Sequence, residues 1–302
     1  MAVPQPFDAG ERPPRHDVPR HGRSGFVLVD GRQVHYLEWG HAGRPGVVCL
    51  HGGGQTAYMF EDLGAALAPR YHVLAYDFPD HGDSDALEGG DLDRKVLAAT
   101  APPLCAEFGI DAAVFVGGSM GGVASMTLAA GQPELVAGLV VIDVGHKVEA
   151  EGILRIAAFM AEHESFATLE EAAEAIAAYL PNRTVQAPRL TRNLRQRGDG
   201  RWVWKHGLGR RIRDRGGLHL AQEGAMNMFV GLADDLQRLR CPTLILRGAA
   251  SDVLSEEGAT EIVGLIPGAR FARVAGAGHL AAGDNPESFV NLVRGFLGEI
   301  GW

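Results

Sequence analysis

The fold of this chain is constrained most by six short apolar runs, each rich in Val, Leu or Ile and each closing near Gly or Asp. Uninterrupted apolar runs are typical of strands buried on both faces, as in a parallel sheet. Helix-length stretches with Ala and Leu at helical spacing separate most of them, and this alternation predicts a doubly wound α/β fold with a mostly parallel sheet. The runs are GVVCLHG (46–52), YHVLAYD (71–77), AAVFVGG (112–118), LVVIDVG (139–145), CPTLILRG (241–248) and ARFARVAG (269–276), and the helical stretches are 55–68, 120–131, 255–266 and 286–299.

The chain opens differently. Residues 1–24 hold five Pro and four Arg without an apolar run that could form a signal peptide, so we expect a flexible N-terminal tail. Two runs rich in Val and aromatic residues then flank Asp30-Gly31, which is a two-residue hairpin signal. The fold is therefore expected to begin with antiparallel strands.

One long segment, residues 147–238, interrupts the alternation. It has no convincing buried strand, but Thr168 and Glu171 form a capping box in front of an Ala-rich helix. We expect a helical cap, or lid, inserted between two parts of one core, residues 25–146 and 239–302. Trp202 and Trp204 would point the same way in an extended segment, either as an aromatic wall over the site or as packing of the lid.

Composition and charge exclude several functions. The 302 residues carry a formal net charge of −9, which disfavours nucleic acid and anionic membrane as partners. No run of about 18 apolar residues is present to span a bilayer. Three scattered cysteines suit neither a disulfide framework nor a metal cluster, and the histidines are too dispersed to predict zinc, so we expect a cytoplasmic protein without a bound metal.

The strongest chemical signal is Gly117-Gly118-Ser119-Met120-Gly121, a G-x-S-x-G pattern between a strand-like run and a helical run. In such an elbow the serine sits in a strained turn with positive φ, and the residues two before and two after it must be very small. Ser119 is then presented at the carboxyl end of the sheet as a nucleophile.

A serine nucleophile needs a base, and the base needs an acid that fixes its tautomer. His279 lies in a Gly-rich loop after the last strand-like run, and Asp252 lies in the loop after the run that ends at 248. Both would share the sheet edge of Ser119. The chain order Ser119, Asp252, His279 is nucleophile, acid, base.

Together with Leu50-His51-Gly52-Gly53-Gly54 and Asp77-Phe78-Pro79-Asp80-His81-Gly82-Asp83-Ser84, these motifs resemble the α/β-hydrolase family over residues 26–300. The resemblance implies an oxyanion hole made by the backbone N–H groups of Met120 and Gly53, with Gly54 as the second choice. Some relatives take their acid from the position of Asp143, but the loop of Asp252 matches the more usual acid position, and we favour Asp252. His51 is expected to brace the oxyanion turn.

These observations favour a cofactor-free serine hydrolase that cleaves an ester, thioester or lactone of a small molecule through an acyl-enzyme. The alternatives are a triad-dependent lyase or carbon-carbon bond hydrolase acting on an acidic small molecule, and a homologue that binds ligand without turnover. Residues 189–215 hold ten Arg or Lys and two Asp, so an inward-facing arginine could bind an anionic substrate. The sequence is also compatible with a homodimer.

Overall fold

The computed structural model describes residues 18–87, 92–180, 183–209, 212 and 226–302. Within these residues eight strands form one sheet and three short strands form another. The large sheet contains β1 (Arg23–Val29), β2 (Arg32–Trp39), β3 (Gly46–Leu50), β4 (His72–Tyr76), β5 (Ala113–Gly118), β6 (Val136–Ile142), β10 (Thr243–Gly248) and β11 (Arg270–Val274), and the small one contains β7 (Ser165–Phe166), β8 (Leu194–Gln196) and β9 (Trp202–Trp204).

The large sheet has the order β1-β2-β4-β3-β5-β6-β10-β11, and β2 runs antiparallel to both of its neighbours while the other adjacent pairs are parallel. The predicted opening hairpin is confirmed, since β1 and β2 are joined by Asp30 (φ 48°) and Gly31 (φ 77°). The six apolar runs supply the six remaining strands, as predicted. Burial on both faces explains the apolar runs of the inner strands: in β3, Val47 and Cys49 pack on one side, and Val48 and Leu50 on the other. The edge strand β11 is only partly buried.

Helices cover both faces of this sheet. One apolar cluster packs α2, α3, α4, α7 and α8 on the first face, and a second packs α1 and α10 on the opposite face. Asn285 caps α10 by accepting a hydrogen bond from the Ser288 N–H (3.1 Å), as its position before Pro286 predicts. The helices are α1 (Glu61–Leu67), α2 (Arg94–Ala99), α3 (Ala101–Glu107), α4 (Met120–Gly131), α5 (Ala150–Glu162), α6 (Leu169–Tyr179), α7 (Leu232–Arg238), α8 (Glu256–Leu265), α9 (Ala281–Asp284) and α10 (Pro286–Glu299).

A cap lies between β6 and β10 in the chain, and its described part combines α5 and α6 with the small antiparallel sheet of order β7-β9-β8. The capping box is present: Thr168 Oγ1 accepts from the Glu171 N–H (3.1 Å), and a Glu171 oxygen accepts from the Ala167 N–H (2.5 Å). Trp204 of β9 packs among Phe159 and Phe166 in the cap's own apolar cluster, so it serves packing within the cap.

Two predicted boundaries need correction. The tail does not extend to residue 24, because β1 begins at Arg23 and the Arg20 N–H already donates to Glu61 (2.9 Å); residues 1–17 lie outside the described residues. The cap does not extend to residue 238, because Leu232 and Leu236 of α7 belong to the core cluster that contains α4. The chain position of α7 suggests that it belongs to the cap, but its apolar residues pack with the core.

Buried charge pairs hold the cap to the core. Glu61 of α1 is 3% exposed, and its oxygens accept from Arg192 (2.7 and 2.9 Å) and Arg189 (3.0 Å) of the cap. Burial raises the pKa of Glu61, but hydrogen bonds from Arg192 and Arg20 outweigh that effect and hold it below its ordinary value. On the other side of the cap, Lys205 donates to Asp83 (2.8 Å).

Among the described residues, no helix is both long and apolar enough to cross a lipid bilayer. Cys49, Cys105 and Cys241 are free thiols, and burial raises the pKa of each. A cytoplasmic location stays a prediction.

We predict that Glu61→Gln lowers the free energy of unfolding by about 3 kcal/mol, because the guanidinium of Arg192 loses its buried counter-ion. Glu299→Gln removes the surface partner of Arg270 and should cost less than about 1 kcal/mol. Urea unfolding at pH 7 measures both. Equal effects of the two substitutions would contradict the role given to Glu61.

Candidate active site

Ser119 occupies the sharp turn between β5 and α4. Its backbone has φ 48° and ψ −114°, and its N–H donates to the Ile142 carbonyl of β6 (2.9 Å). A Cβ on Gly117 would lie 2.4 Å from the Gly121 carbonyl oxygen, and one on Gly121 would lie 2.1 Å from that of Leu50. The strained turn and the two obligatory small residues therefore agree with the elbow predicted from sequence.

The predicted base, His279, meets one of the two candidate acids, Asp143, at the same edge of the sheet. His279 Nδ1 lies 2.7 Å from Asp143 Oδ2. Asp143 is completely buried at the end of β6, and its φ of 53° directs its side chain toward β10, where Oδ1 accepts from the Gly248 N–H (2.9 Å) and Oδ2 accepts from the Ser251 hydroxyl (2.5 Å). These hydrogen bonds hold the carboxylate of Asp143 in one orientation.

The structure does not bring Asp252, the favoured acid, to His279; the carboxylate within hydrogen-bond distance of His279 is that of the second choice, Asp143. Asp252 points to the cap, where it pairs with Arg155 of α5. The loop after β10 still contacts the carboxylate of Asp143, through the hydroxyl of Ser251. The chain order of nucleophile, acid and base could not decide between Asp143 and Asp252. The choice depends on which of the two side chains turns toward His279.

Arg247 shapes that loop, a role that the sequence reasoning missed. Its guanidinium is almost fully buried and donates to the carbonyls of Gly248, Ala249, Ser251 and Leu254 and to the carboxylate of Glu256. These bonds wrap the loop around one side chain and hold Ser251 against Asp143. A charged residue inside an otherwise apolar strand was the available signal.

Ser119 and His279 lie at this edge without a direct hydrogen bond: in the described part of the chain, Ser119 Oγ has no partner within 3.5 Å. Such contacts often tighten only when substrate binds. Because Nδ1 of His279 faces Asp143, a neutral His279 that donates from Nδ1 keeps the lone pair of Nε2 available as a base.

The turn after β3 supplies the predicted oxyanion donors. His51 braces it as expected: Nδ1 donates to the Gly52 carbonyl (2.8 Å) and Nε2 accepts from the Phe78 N–H (3.0 Å). Gln55 already binds the Gly52 N–H (3.1 Å). Among the described residues the N–H groups of Gly53 and Met120 donate no hydrogen bond, so they fit the predicted role, which stays a prediction.

Cap residues close over this turn. A Cβ on Gly54 would lie 2.8 Å from Cε of Met160 and 3.4 Å from Nε2 of His206, and the nearest group to a Cβ on Gly53 would be Cδ1 of Leu208 (3.8 Å). Nε2 of His206 is sealed from solvent and has no hydrogen-bond partner among the described residues. The ring stacks on Trp204 at 5.4 Å.

Burial keeps these imidazoles neutral. It lowers the pKa of His51 to about 4 and that of His206 to about 3, and nearby His81 adds to both shifts. His81 donates from Nδ1 to the Pro79 carbonyl (3.1 Å) and so helps to hold its own loop. The histidines that surround the oxyanion turn are thus uncharged structural groups.

One group of potential metal ligands exists among the described residues: the side-chain atoms of His35, Asp77 and Asp83 lie within 4.8 Å of one another. Their atoms already bond within the protein. Asp77 accepts from His35 Nδ1 (2.7 Å) and from the N–H groups of Ala57 (2.7 Å) and Asp83 (3.0 Å). The carboxylate of Asp83 accepts from Lys205. The group therefore anchors loops.

Comparison with known proteins extends the geometric findings. Residues 47–292 match the model of the alpha/beta hydrolase family. The chain is 29% identical over 279 residues to an esterase of Mycobacterium tuberculosis (89% of this chain, 88% of the relative) and 28% identical over 267 residues to an sn-1-specific diacylglycerol lipase of Mus musculus (85% and 82%). The crystal structure of E-2-(acetamidomethylene)succinate hydrolase superposes with a TM-score of 0.79 at 23% identity, covering 92% of this chain and all of that one, which is a likeness of fold.

We predict that Asp143→Asn lowers kcat by about 10⁴-fold, because His279 loses the carboxylate that sets its tautomer. Asp252→Asn, the matched control, removes only an exposed pair and should lower kcat less than about tenfold. Both are measured with a nitrophenyl ester at equal folded fraction, judged by thermal melting. A larger loss in the Asp252 variant would return the acid to that residue.

We also predict that the protein loses stability as the pH falls from 6.5 toward 4. The unfolded chain protonates His51 and His206 near their ordinary pKa of 6.5, whereas the folded chain resists protonation until about 4 and about 3, so acid favours unfolding. His206→Phe removes one such group and should flatten the fall by up to about 1.4 kcal/mol per pH unit. Denaturant unfolding across this range tests it, with exposed His41→Gln as the control. An unchanged slope in His206→Phe would refute the prediction.

Proposed function

Since the chain belongs to the α/β hydrolase family and is an enzyme of the hydrolase class, we propose that it is a serine hydrolase that cleaves an ester, thioester or lactone of a small organic molecule through an acyl-enzyme. The observation that carries the proposal is the pairing of His279 with the buried Asp143 at the sheet edge that also presents Ser119.

The proposed reaction follows from this arrangement. Ser119 Oγ attacks the substrate carbonyl carbon while His279 Nε2 takes its proton, and Asp143 stabilises the imidazolium. The N–H groups of Gly53 and Met120 receive the developing oxyanion; Met120 opens α4, where a helix leaves its first amides unpaired. His279 then protonates the leaving group. Water, activated by the same imidazole, releases the acyl group from Ser119.

The space beside Ser119 favours an apolar acyl group. Leu208 and Met160 cover the turn on the cap side, and Cε of Met59 lies where a Cβ on Gly118 would approach to 2.6 Å. Charged groups are absent from these contacts. The two relatives described above, an esterase and a lipase by name, support an ester as the bond that is cleaved.

We predict that 4-nitrophenyl butyrate gives a burst of nitrophenolate equal to the enzyme concentration when acylation outpaces hydrolysis, and that Ser119→Ala loses both the burst and at least about 10⁴-fold in turnover. Ser125→Ala is the matched control, because it removes a buried hydroxyl of the same helix that bonds only the Gly121 carbonyl (2.7 Å).

Rapid-mixing absorbance measures the burst, and thermal melting confirms that both variants fold. Turnover without any burst, at substrate concentrations and temperatures that should accumulate an acyl-enzyme, would favour the lyase or carbon-carbon bond alternative. Unchanged turnover in Ser119→Ala would show that Ser119 is not the nucleophile and would contradict the proposed mechanism.

A further inference from the structure

A cap arginine lies against the loop that carries the base. Arg183 follows α6, and its guanidinium packs on Gly283 of α9, where a Cβ would lie 2.8 Å from Nη2 and 2.9 Å from Cζ. Helix α9 begins two residues after His279. A side chain at position 283 would displace the guanidinium from this place.

The guanidinium of Arg183 is unpaired within the part of the chain that the structure describes. Among the described residues none of its nitrogens makes a hydrogen bond or lies within 4.0 Å of a carboxylate oxygen. Burial lowers the pKa of Arg183, yet a guanidinium stays charged at any working pH. Several other described arginines of the cap do have partners: Arg192 pairs with Glu61, Arg155 pairs with Asp252, and Arg201 donates to the Ser165 hydroxyl and carbonyl. Arg183 is half-buried, so its charge loses part of its hydration, and an anion that joins it would offset that cost.

Asp284, the nearest opposite charge, is committed elsewhere. Its Oδ2 accepts from the Gly278 N–H (2.9 Å), and its Oδ1 is sealed from solvent and has no hydrogen-bond partner among the described residues. Burial raises the pKa of Asp284, while Arg183 and His279 act on it electrostatically in the opposite sense. Arg183 is thus within electrostatic reach of the group that holds the base loop. None of its nitrogens, by contrast, is among the sealed and unpaired atoms, so solvent or a ligand can reach the guanidinium.

We infer that Arg183 forms a subsite for a carboxylate carried by the substrate, so that the enzyme prefers anionic small-molecule esters over neutral ones. The inference rests on the proposed hydrolase function and names its substrate class. A planar guanidinium suits a carboxylate because it can donate two parallel hydrogen bonds.

The basic stretch 189–215, in which the sequence predicts that such an arginine could lie, is less suitable as an anion-binding site in its described part. Arg192 is neutralised by Glu61, and Arg195, Arg197 and Arg201 are exposed. Arg210, Arg211, Arg213 and Arg215 lie outside the described residues. The subsite is therefore assigned to a residue before this stretch.

The test compares matched esters that release the same nitrophenolate. Mono-4-nitrophenyl adipate carries a free carboxylate, and methyl 4-nitrophenyl adipate is its neutral counterpart; a 4-carboxyphenyl and a 4-carbamoylphenyl butyrate place the charge in the leaving group instead. Arg183→Gln should lower kcat/KM for one of the two anionic esters about 10- to 100-fold, as expected for lost charged hydrogen bonds, and change the neutral esters less than about threefold. Arg195→Gln, which removes an exposed cap arginine, should change none of them.

A measurement without turnover separates this inference from the proposed function. Adipate should raise the Tm of the wild type and of Arg195→Gln but not of Arg183→Gln, whereas neutral adipamide at the same ionic strength should raise none. If the neutral esters are not hydrolysed while adipate still stabilises through Arg183, the function fails and the subsite stands.

If Arg183→Gln affects charged and neutral esters equally, or leaves all four unchanged, the subsite is overturned. A fall in Tm with an equal loss on every ester would instead mark Arg183 as a structural residue of the base loop. Arg183→Lys, which keeps the charge but not the fork, should recover part of the anionic preference.

Discussion

The close approach of α4 to the ends of β5 and β3 is the constraint on which the rest of the site depends. The helix comes so near that a single carbon added at Gly121 would overlap the backbone of Leu50, and Ser119 is left in a left-handed turn between strand and helix. The same contact brings the first helical amide, that of Met120, beside the turn after β3. The positions of the proposed nucleophile and of the proposed oxyanion donors are therefore set by backbone packing, which needs no rearrangement when substrate arrives.

A second residue with positive φ lies at the same edge of the sheet. Asp143 leaves β6 with φ 53° and crosses to β10, where the loop held by Arg247 encloses it. Strained backbone at both Ser119 and Asp143 fits the tendency of functional sites to store such strain in surroundings that enforce it. The cap is fastened to this rigid frame by buried charge pairs at Glu61 and Asp83, so the described cap residues stand at defined positions over the turn.

Local patterns made much of this structure predictable. The apolar runs, the Asp30-Gly31 hairpin, the capping box at Thr168 and the elbow at Ser119 each depend on a few consecutive residues. The partner of His279 could not be chosen from sequence, because Asp143 and Asp252 follow neighbouring strands and only the folded structure shows that the side chain of Asp143 turns toward His279. Arg192 and Arg183 were beyond sequence reasoning, since their partners or neighbours, Glu61 and Gly283, are about a hundred residues distant and meet them only after the cap has folded.

The central claim is that the elbow presents one activated serine, and covalent labelling tests it most directly. A fluorophosphonate probe should modify the wild-type protein at a single peptide, and mass spectrometry should place the adduct on Ser119, with labelling slowed strongly in Asp143→Asn but not in Asp252→Asn. Modification of another serine, or labelling that does not depend on Asp143, would contradict the account.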